Sequence, residues 1–401
     1  MSTRLSTAPA AFVCGHATHP DWRAALTLAG LQIDAQLQAS PGAAQPTLGL
    51  AYFTEAYAAQ APALLAALQQ RWPGVAWAGC AGVGVAASGV EYFDEPGLVL
   101  LLAALPAGQF QVFHGGRPLR PGPATHSALV HVDAGVPELP ELLQDLAGRT
   151  GTGYMFGGLV ASRTGAWHLA DGAWQGGLSG VAFGPEVGVL SRVTQGCQPV
   201  GPVRRITACE RNIVTQLDGE PALPLLLRDL GLNDLDDPRQ ALPLLRATLV
   251  GLSDEHAAAT RRTGQFGQEV RVRHLMGLDP GRQAVAVGEL LAPGMHLAFC
   301  QRHVEAARRD LVRVCAELRE ALDGDDEGTP PRRILGALYV SCAGRGGPHF
   351  GGPSAELKLI EHALSPAGQA IPLAGFFAGG EIAGQQLYGY TGVLTLFTAP
   401  A

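Results

Sequence analysis

The chain has 401 residues, of which 47% are hydrophobic and 16% charged, and its formal net charge is −7. That length suggests two domains, or one domain built twice, and that apolar fraction supports a large core and argues against disorder. The negative balance offers no basic surface, so a nucleic-acid partner is not expected.

Seven cysteines stand at 14, 80, 197, 209, 300, 315 and 342, with no Cys-x-x-Cys pair. An odd, scattered set of thiols fits a reducing compartment better than a disulfide scaffold. No basic stretch followed by an apolar run marks a signal peptide. The longest apolar run, Leu98 to Leu105, falls far short of the ~20 residues that a membrane helix needs. A cytoplasmic protein with no membrane partner is expected.

The 53 glycines and 29 prolines recur along the chain and do not pool in one linker, which predicts many short strands and tight turns. A unit of strand, helix, strand ending in a glycine-rich turn, and strand emerges. Its first copy runs through a strand at 47–53, a helix at 56–71 and strands at 75–84 and 97–103. The second has a strand at 128–133, a helix at 137–147 and strands at 153–162 and 176–183. A more distorted copy lies between Arg246 and Leu318, with strands at 247–252, 269–273, 284–287 and 295–299. A helix from Val304 follows; its apolar residues at 304, 307, 311, 314, 315, 318 and 322 give one core-facing stripe. The last copy has a strand at 334–341, a helix at 354–364 and two closing strands that carry Gly379-Gly380 and end at Phe397. The expected fold is α/β (α+β): two related halves of mixed β-sheet with packed helices, built from repeated strand-helix-strand-strand units. A boundary at Asp218-Gly-Glu-Pro221 divides the halves into 1–218 and 219–401. The acidic, proline-rich stretch 323–331 reads as a surface loop.

Two strands of the last copy end in glycine clusters that hold polar residues. Glycine there allows close approach of a ligand or another strand. The ligand-binding candidates are Cys342, Gly344, Arg345 and Gly346 in the first cluster and Gly379, Gly380 and Glu381 in the second. Arg345 offers a planar fork for a carboxylate and Glu381 acceptors for an amine, which suits an amino-acid-like ligand. The alternative is that the two pair with each other or cap exposed backbone. An adjacent arginine favours a Cys342 thiolate, but a nucleophile needs a base within reach, and the nearest histidine in sequence is His349. No catalytic residue is assigned. Gly157-Gly158 reads as a strand bend. His296 and Cys300 on one strand lie about 13 Å apart at ~3.3 Å per residue, so no metal site is assigned. Haem needs only one axial ligand, for which His274, Cys300 and His303 are available. Asp254-Glu-His256 pairs an acid and a base at a strand end.

These motifs resemble the FIST family of intracellular signal-transduction and F-box-associated sensory domains, over nearly the whole chain. Gly79-Cys80-Ala81, Phe156-Gly-Gly-Leu159, Thr194-Gln-Gly-Cys-Gln-Pro-Val-Gly201, Arg205-Ile-Thr207 and Leu217-Asp-Gly219 carry the N-terminal FIST resemblance. Arg273-His-Leu-Met-Gly-Leu-Asp279, Ser341-Cys-Ala-Gly-Arg-Gly346, Gly375-Phe-Phe-Ala-Gly-Gly-Glu-Ile-Ala383 and Tyr388-Gly-Tyr-Thr391 carry the C-terminal one. The resemblance implies small-molecule sensing in the cytoplasm, with amino acids or related metabolites as ligands. In some members it implies haem and nitric-oxide reporting to a histidine kinase. The secondary site candidates are Cys80, Asp254, His256, His274 and His303. The chain has no F-box, kinase or cyclase segment, so the output would pass to a separate signalling protein. A homodimer is open, as are a Cys342-dependent enzyme and a protein–protein adaptor. The family's Phe-His-x-Arg-Asp run stands here as Phe299-Cys-Gln-Arg-His303, and its Arg-Asn as Arg273-His274.

Overall fold

The computed structural model describes residues 12–40, 42, 44–106, 108–232, 238–254, 270–324, 330–365 and 370–401. They form two compact units. The first takes the chain up to Thr194, then Leu311–Leu387 and Thr391–Ala401; the second takes Gln195–Asp310 and Tyr388–Tyr390. Mixed sheets with packed helices agree with the expected α/β (α+β) class.

In the first unit the strand-helix-strand-strand motif occurs three times. The first copy comprises Leu48–Thr54, the helix Ala61–Arg71, Ala76–Gly82 and Leu98–Ala103; the second Ser127–Asp133, the helix Leu139–Gly148, Tyr154–Val160 and Leu178–Phe183. The third comprises Arg332–Cys342, the helix Ala355–Leu364, Leu373–Gly384 and Thr391–Pro400. In every copy the first strand is parallel to the second and antiparallel to the closing strand. A parallel neighbour requires a crossover, which the helix supplies.

Each copy contains the same close contact. Gly79 lies opposite Ala51, Gly157 opposite Val130 and Gly375 opposite Tyr339. A Cβ at these glycines would stand 1.9, 1.9 and 1.8 Å from the facing carbonyl oxygen. No side chain fits at that distance, so glycine is fixed by the strand spacing.

Copies two and three share one sheet, joined by antiparallel pairing of Leu373–Gly384 with Tyr154–Val160. Copy one builds the other sheet, edged by Phe12–Ala17. The sheets stack face to face, with the Tyr52 and Phe376 rings 5.2 Å apart. The helix Trp22–Ala39 and the helix Ala61–Arg71 pack on the outer face of one sheet, and Leu139–Gly148 on the outer face of the other. Coverage on both faces explains why Leu48–Thr54 is buried throughout rather than alternating. The Trp22–Ala39 helix and the Phe12–Ala17 strand escaped the sequence reading. The helix start is marked by Asp21, whose carboxylate accepts the Arg23 N–H at 2.9 Å.

Between the sheets lies a polar chain. Tyr52 Oη meets His131 Nε2 at 3.1 Å, and Ser179 Oγ lies 3.2 Å from His168 Nδ1 and 3.5 Å from His131 Nδ1. Both histidines are buried, and burial pushes His131 down to about 3 and His168 down to about 4. Mutual repulsion adds to the first shift, while Asp133 partly opposes the second.

The second unit departs from the expected distorted repeat. Its strands Arg204–Glu210, Ile213–Leu217, Ala284–Val287, Arg271–Asp279, Thr248–Ser253 and His296–Arg302 pair in that order, all antiparallel, and the last pairs back to the first. The result is a closed six-stranded barrel. Inward residues such as Ile206, Val214, Val250, Val285 and Phe299 fill it, and Leu223 and Leu226 of the helix Ala222–Asp229 pack against them. Glu269 of the expected 269–273 strand lies outside the described residues. Among the described residues no helix is long and apolar enough to cross a membrane.

Two outcomes follow from these contacts. Gly375→Ala is expected to lower the unfolding free energy by about 3 kcal/mol, the upper end of the usual cost of overpacking, or to prevent folding, because backbone must move; urea titration reads it. The depressed histidines stay neutral in the fold but charge in the unfolded chain below about 6.5. Stability should therefore fall by roughly 3–4 kcal/mol between pH 7 and pH 5 from this pair. Replacing both histidines by glutamine should flatten that slope.

Candidate functional site

The third copy carries the candidate site, because its first strand ends in Cys342 and runs straight into the short turn Ala343–Arg345. Arg345 is only 1% exposed. Its Nε and Nη2 donate to Glu356 Oε1 at 2.9 and 2.5 Å. Tyr339 Oη donates to the same oxygen at 2.6 Å, and Ser341 Oγ to Oε2 at 3.0 Å. Burial alone would lower the Arg345 value, and the Glu356 carboxylate more than offsets this, so the guanidinium stays charged. Its flat face lies 5.0 Å from the Phe350 ring, a cation–π contact. The following loop is held by Glu91, whose Oε1 accepts the Gly347 and Ser354 N–H groups at 3.1 and 3.0 Å.

Glu381 is fully buried at the bend where the Leu373–Gly384 strand changes register between Ala378 and Glu381. Its Oε2 accepts the Thr391 N–H at 3.1 Å and hydroxyl at 2.7 Å. Burial pushes this carboxyl up to about 8; Thr391, Arg345 and the Cys342 thiol each pull it partly back. Two buried polar atoms in this cluster, Glu381 Oε1 and Arg345 Nη1, have no hydrogen-bond partner.

The structure thus brings Cys342, Arg345 and Glu381 into one cluster. Arg345 does not pair with Glu381, the alternative open from sequence; it pairs with Glu356. Gly344 and Gly346 are half-buried, Gly379 is exposed and Gly380 buried. Glu356, Tyr339, Ser341 and Thr391 were missed as site residues, although all four lie within or beside the same motif-bearing stretch. The alternation of Tyr339 and Ser341 on one strand was the available signal.

The secondary candidates lie apart from this cluster. Cys80 is buried, and burial holds its thiol well above the ordinary range. Asp254 forms a two-point ion pair with Arg271 at 3.2 and 3.0 Å and is lowered by it. His256 lies outside the described residues. His274 meets Tyr390 Oη at 3.1 Å. His303 Nδ1 accepts the Ala306 N–H at 3.2 Å, capping the helix that begins at Val304. Cys300 is buried against Cys197, whose thiol, with burial, raises it. His349 packs its ring edge against Phe350.

A cleft of about 1240 Å³ lies at the other end of the Arg332–Cys342 strand, lined by Arg319, Arg333, His16 and His362 among others. It does not reach the cluster. Two of its polar groups, Gln32 and Gln36, are engaged by the backbone of Phe12–Ala17. The cluster is the stronger site because its unpartnered atoms are buried, where such atoms are most unfavourable.

The two carboxyls predict opposite stability effects. Glu356→Ala strands a buried guanidinium and should cost about 3–5 kcal/mol. The Glu381 carboxyl contributes its full stability only below its unfolded value of 4.5 and loses it as pH rises toward 8. Glu381→Gln should therefore stabilise the protein, on the order of 3 kcal/mol at pH 7. Denaturant titration at pH 5 and pH 7 separates the two cases.

A FIST N domain model matches residues 47–220 and a FIST C domain model residues 222–384. An uncharacterized protein of Mycobacterium tuberculosis is 31% identical over 404 residues, covering 96% of this chain and 98% of its own length. An uncharacterized protein of Mycobacterium bovis is 29% identical over 411 residues, covering 96% and 97%. Placed together with the motif-bearing strands above, these matches establish that the chain belongs to the FIST family, whose domains are associated with sensory signal transduction.

Proposed function

We propose that the chain is a cytoplasmic sensory protein that binds a small molecule, an amino acid or related metabolite, at the Cys342–Gly346 turn and the Gly379–Glu381 bend. Its output passes to a separate signalling protein such as a histidine kinase. The observation that carries this reading is the pair of buried, unpartnered polar atoms, Arg345 Nη1 and Glu381 Oε1. A fold optimised for stability alone would not keep a buried carboxyl that opposes folding at neutral pH. The haem reading has less support, since His303 caps a helix, His274 bonds Tyr390 and Cys300 is buried against Cys197. A thiol enzyme at Cys342 also has less support, because the nearest histidine in sequence packs on Phe350.

A thermal-shift screen of the full chain against amino acids, their catabolites and haemin tests the reading. A ligand at 100 times its Kd adds about 2.7 kcal/mol of stability. The expected result is a metabolite hit that disappears in Glu381→Ala. A haemin hit unaffected by that substitution would move the site elsewhere.

A further inference from the structure

We infer that the site grips an oxyanion, a small carboxylate-like group, between two donors supplied by Arg345 and Glu381, and does not hold an amine. The inference rests on the ligand-binding reading above and assigns the chemistry of that same site.

The geometry leaves few choices. Arginine can only donate, and Nε and Nη2 are taken by Glu356, so Nη1 presents a free donor. Glu381 Oε2 already accepts two bonds from Thr391, which leaves Oε1 as the atom to carry a proton. A protonated carboxyl donates from that oxygen. The charged or titratable groups that face Glu381 are Arg345 and Cys342; the Thr391 hydroxyl completes its surroundings. Burial keeps the carboxyl neutral up to about pH 8.

An ammonium group here would sit beside a guanidinium whose counter-charge, Glu356, already receives Tyr339, Ser341 and Arg345. An oxyanion meets the opposite situation: one charged donor and one neutral donor. The Glu381 side chain therefore takes the role of donor, where the sequence suggested an acceptor for an amine.

The test uses the full chain and simple probes at matched ionic strength: acetate, propionate and glycolate against ethylammonium, with chloride as control. Carboxylates should raise the melting temperature saturably at pH 6.5. Their affinity should weaken about tenfold at pH 9, where about one tenth of Glu381 keeps its proton. Glu381→Gln, which retains a donor, should bind at both pH values. Glu381→Ala should lose the response. Stabilisation by ethylammonium and not by carboxylates would overturn the oxyanion assignment and leave the site standing. An undiminished carboxylate response in Glu381→Ala would place the anion elsewhere and overturn it as well. No response to these probes or to the metabolite panel would remove the ligand-binding reading itself.

Discussion

The buried ion pair of Arg345 and Glu356 is the interaction on which the candidate site depends. An arginine 1% exposed and a glutamate 2% exposed have both lost their water. Such a pair persists only when geometry and extra hydrogen bonds offset desolvation. Tyr339 and Ser341 supply those bonds from the first strand of the third copy, and Arg345 from the turn that follows it. Helix, strand and turn are thereby tied at one carboxylate. The turn is fixed in place, and one guanidinium nitrogen is left without a hydrogen-bond partner.

Around that pair, the first unit repeats one packing solution. Three parallel strand pairs approach so closely that only glycine fits at Gly79, Gly157 and Gly375. Each pair is crossed by a helix and closed by an antiparallel strand. The third copy places a buried Arg just past the end of its first strand and a buried Glu within its second. In the first, Gly79 is followed by the buried Cys80, and in the second Gly157-Gly158 lies inside the regular strand Tyr154–Val160 rather than at the expected bend. The scaffold is shared, and the Arg345–Glu356 pair and Glu381 belong to the third copy.

At two places in that scaffold buried titratable groups have different consequences. His131 and His168 bridge the two sheets as neutral rings, and their charged forms are excluded by the apolar surroundings. Glu381 is a neutral acid beside a permanent cation. The first arrangement joins sheets; the second sets a neutral acid next to a buried guanidinium.

The sequence by itself determined the family, the α/β (α+β) class and three of the repeated units, because period-two apolar strands, glycine punctuation and helical stripes are local signals. It also singled out Cys342, Arg345 and Glu381, since charged residues inside glycine clusters at strand ends are rare where only a turn is needed. The barrel could not be read from the 246–318 stretch, because its closure depends on pairing Arg204–Glu210 with His296–Arg302, some ninety positions along the chain. Nor could the sequence show that Arg345 would choose Glu356 over Glu381. Both acids are equally plausible partners along the chain, and burial with Tyr339 and Ser341 made one a fully bonded carboxylate and the other a neutral acid. Charge state and partner choice are set by desolvation and three-dimensional distance, and only the tertiary structure supplies those.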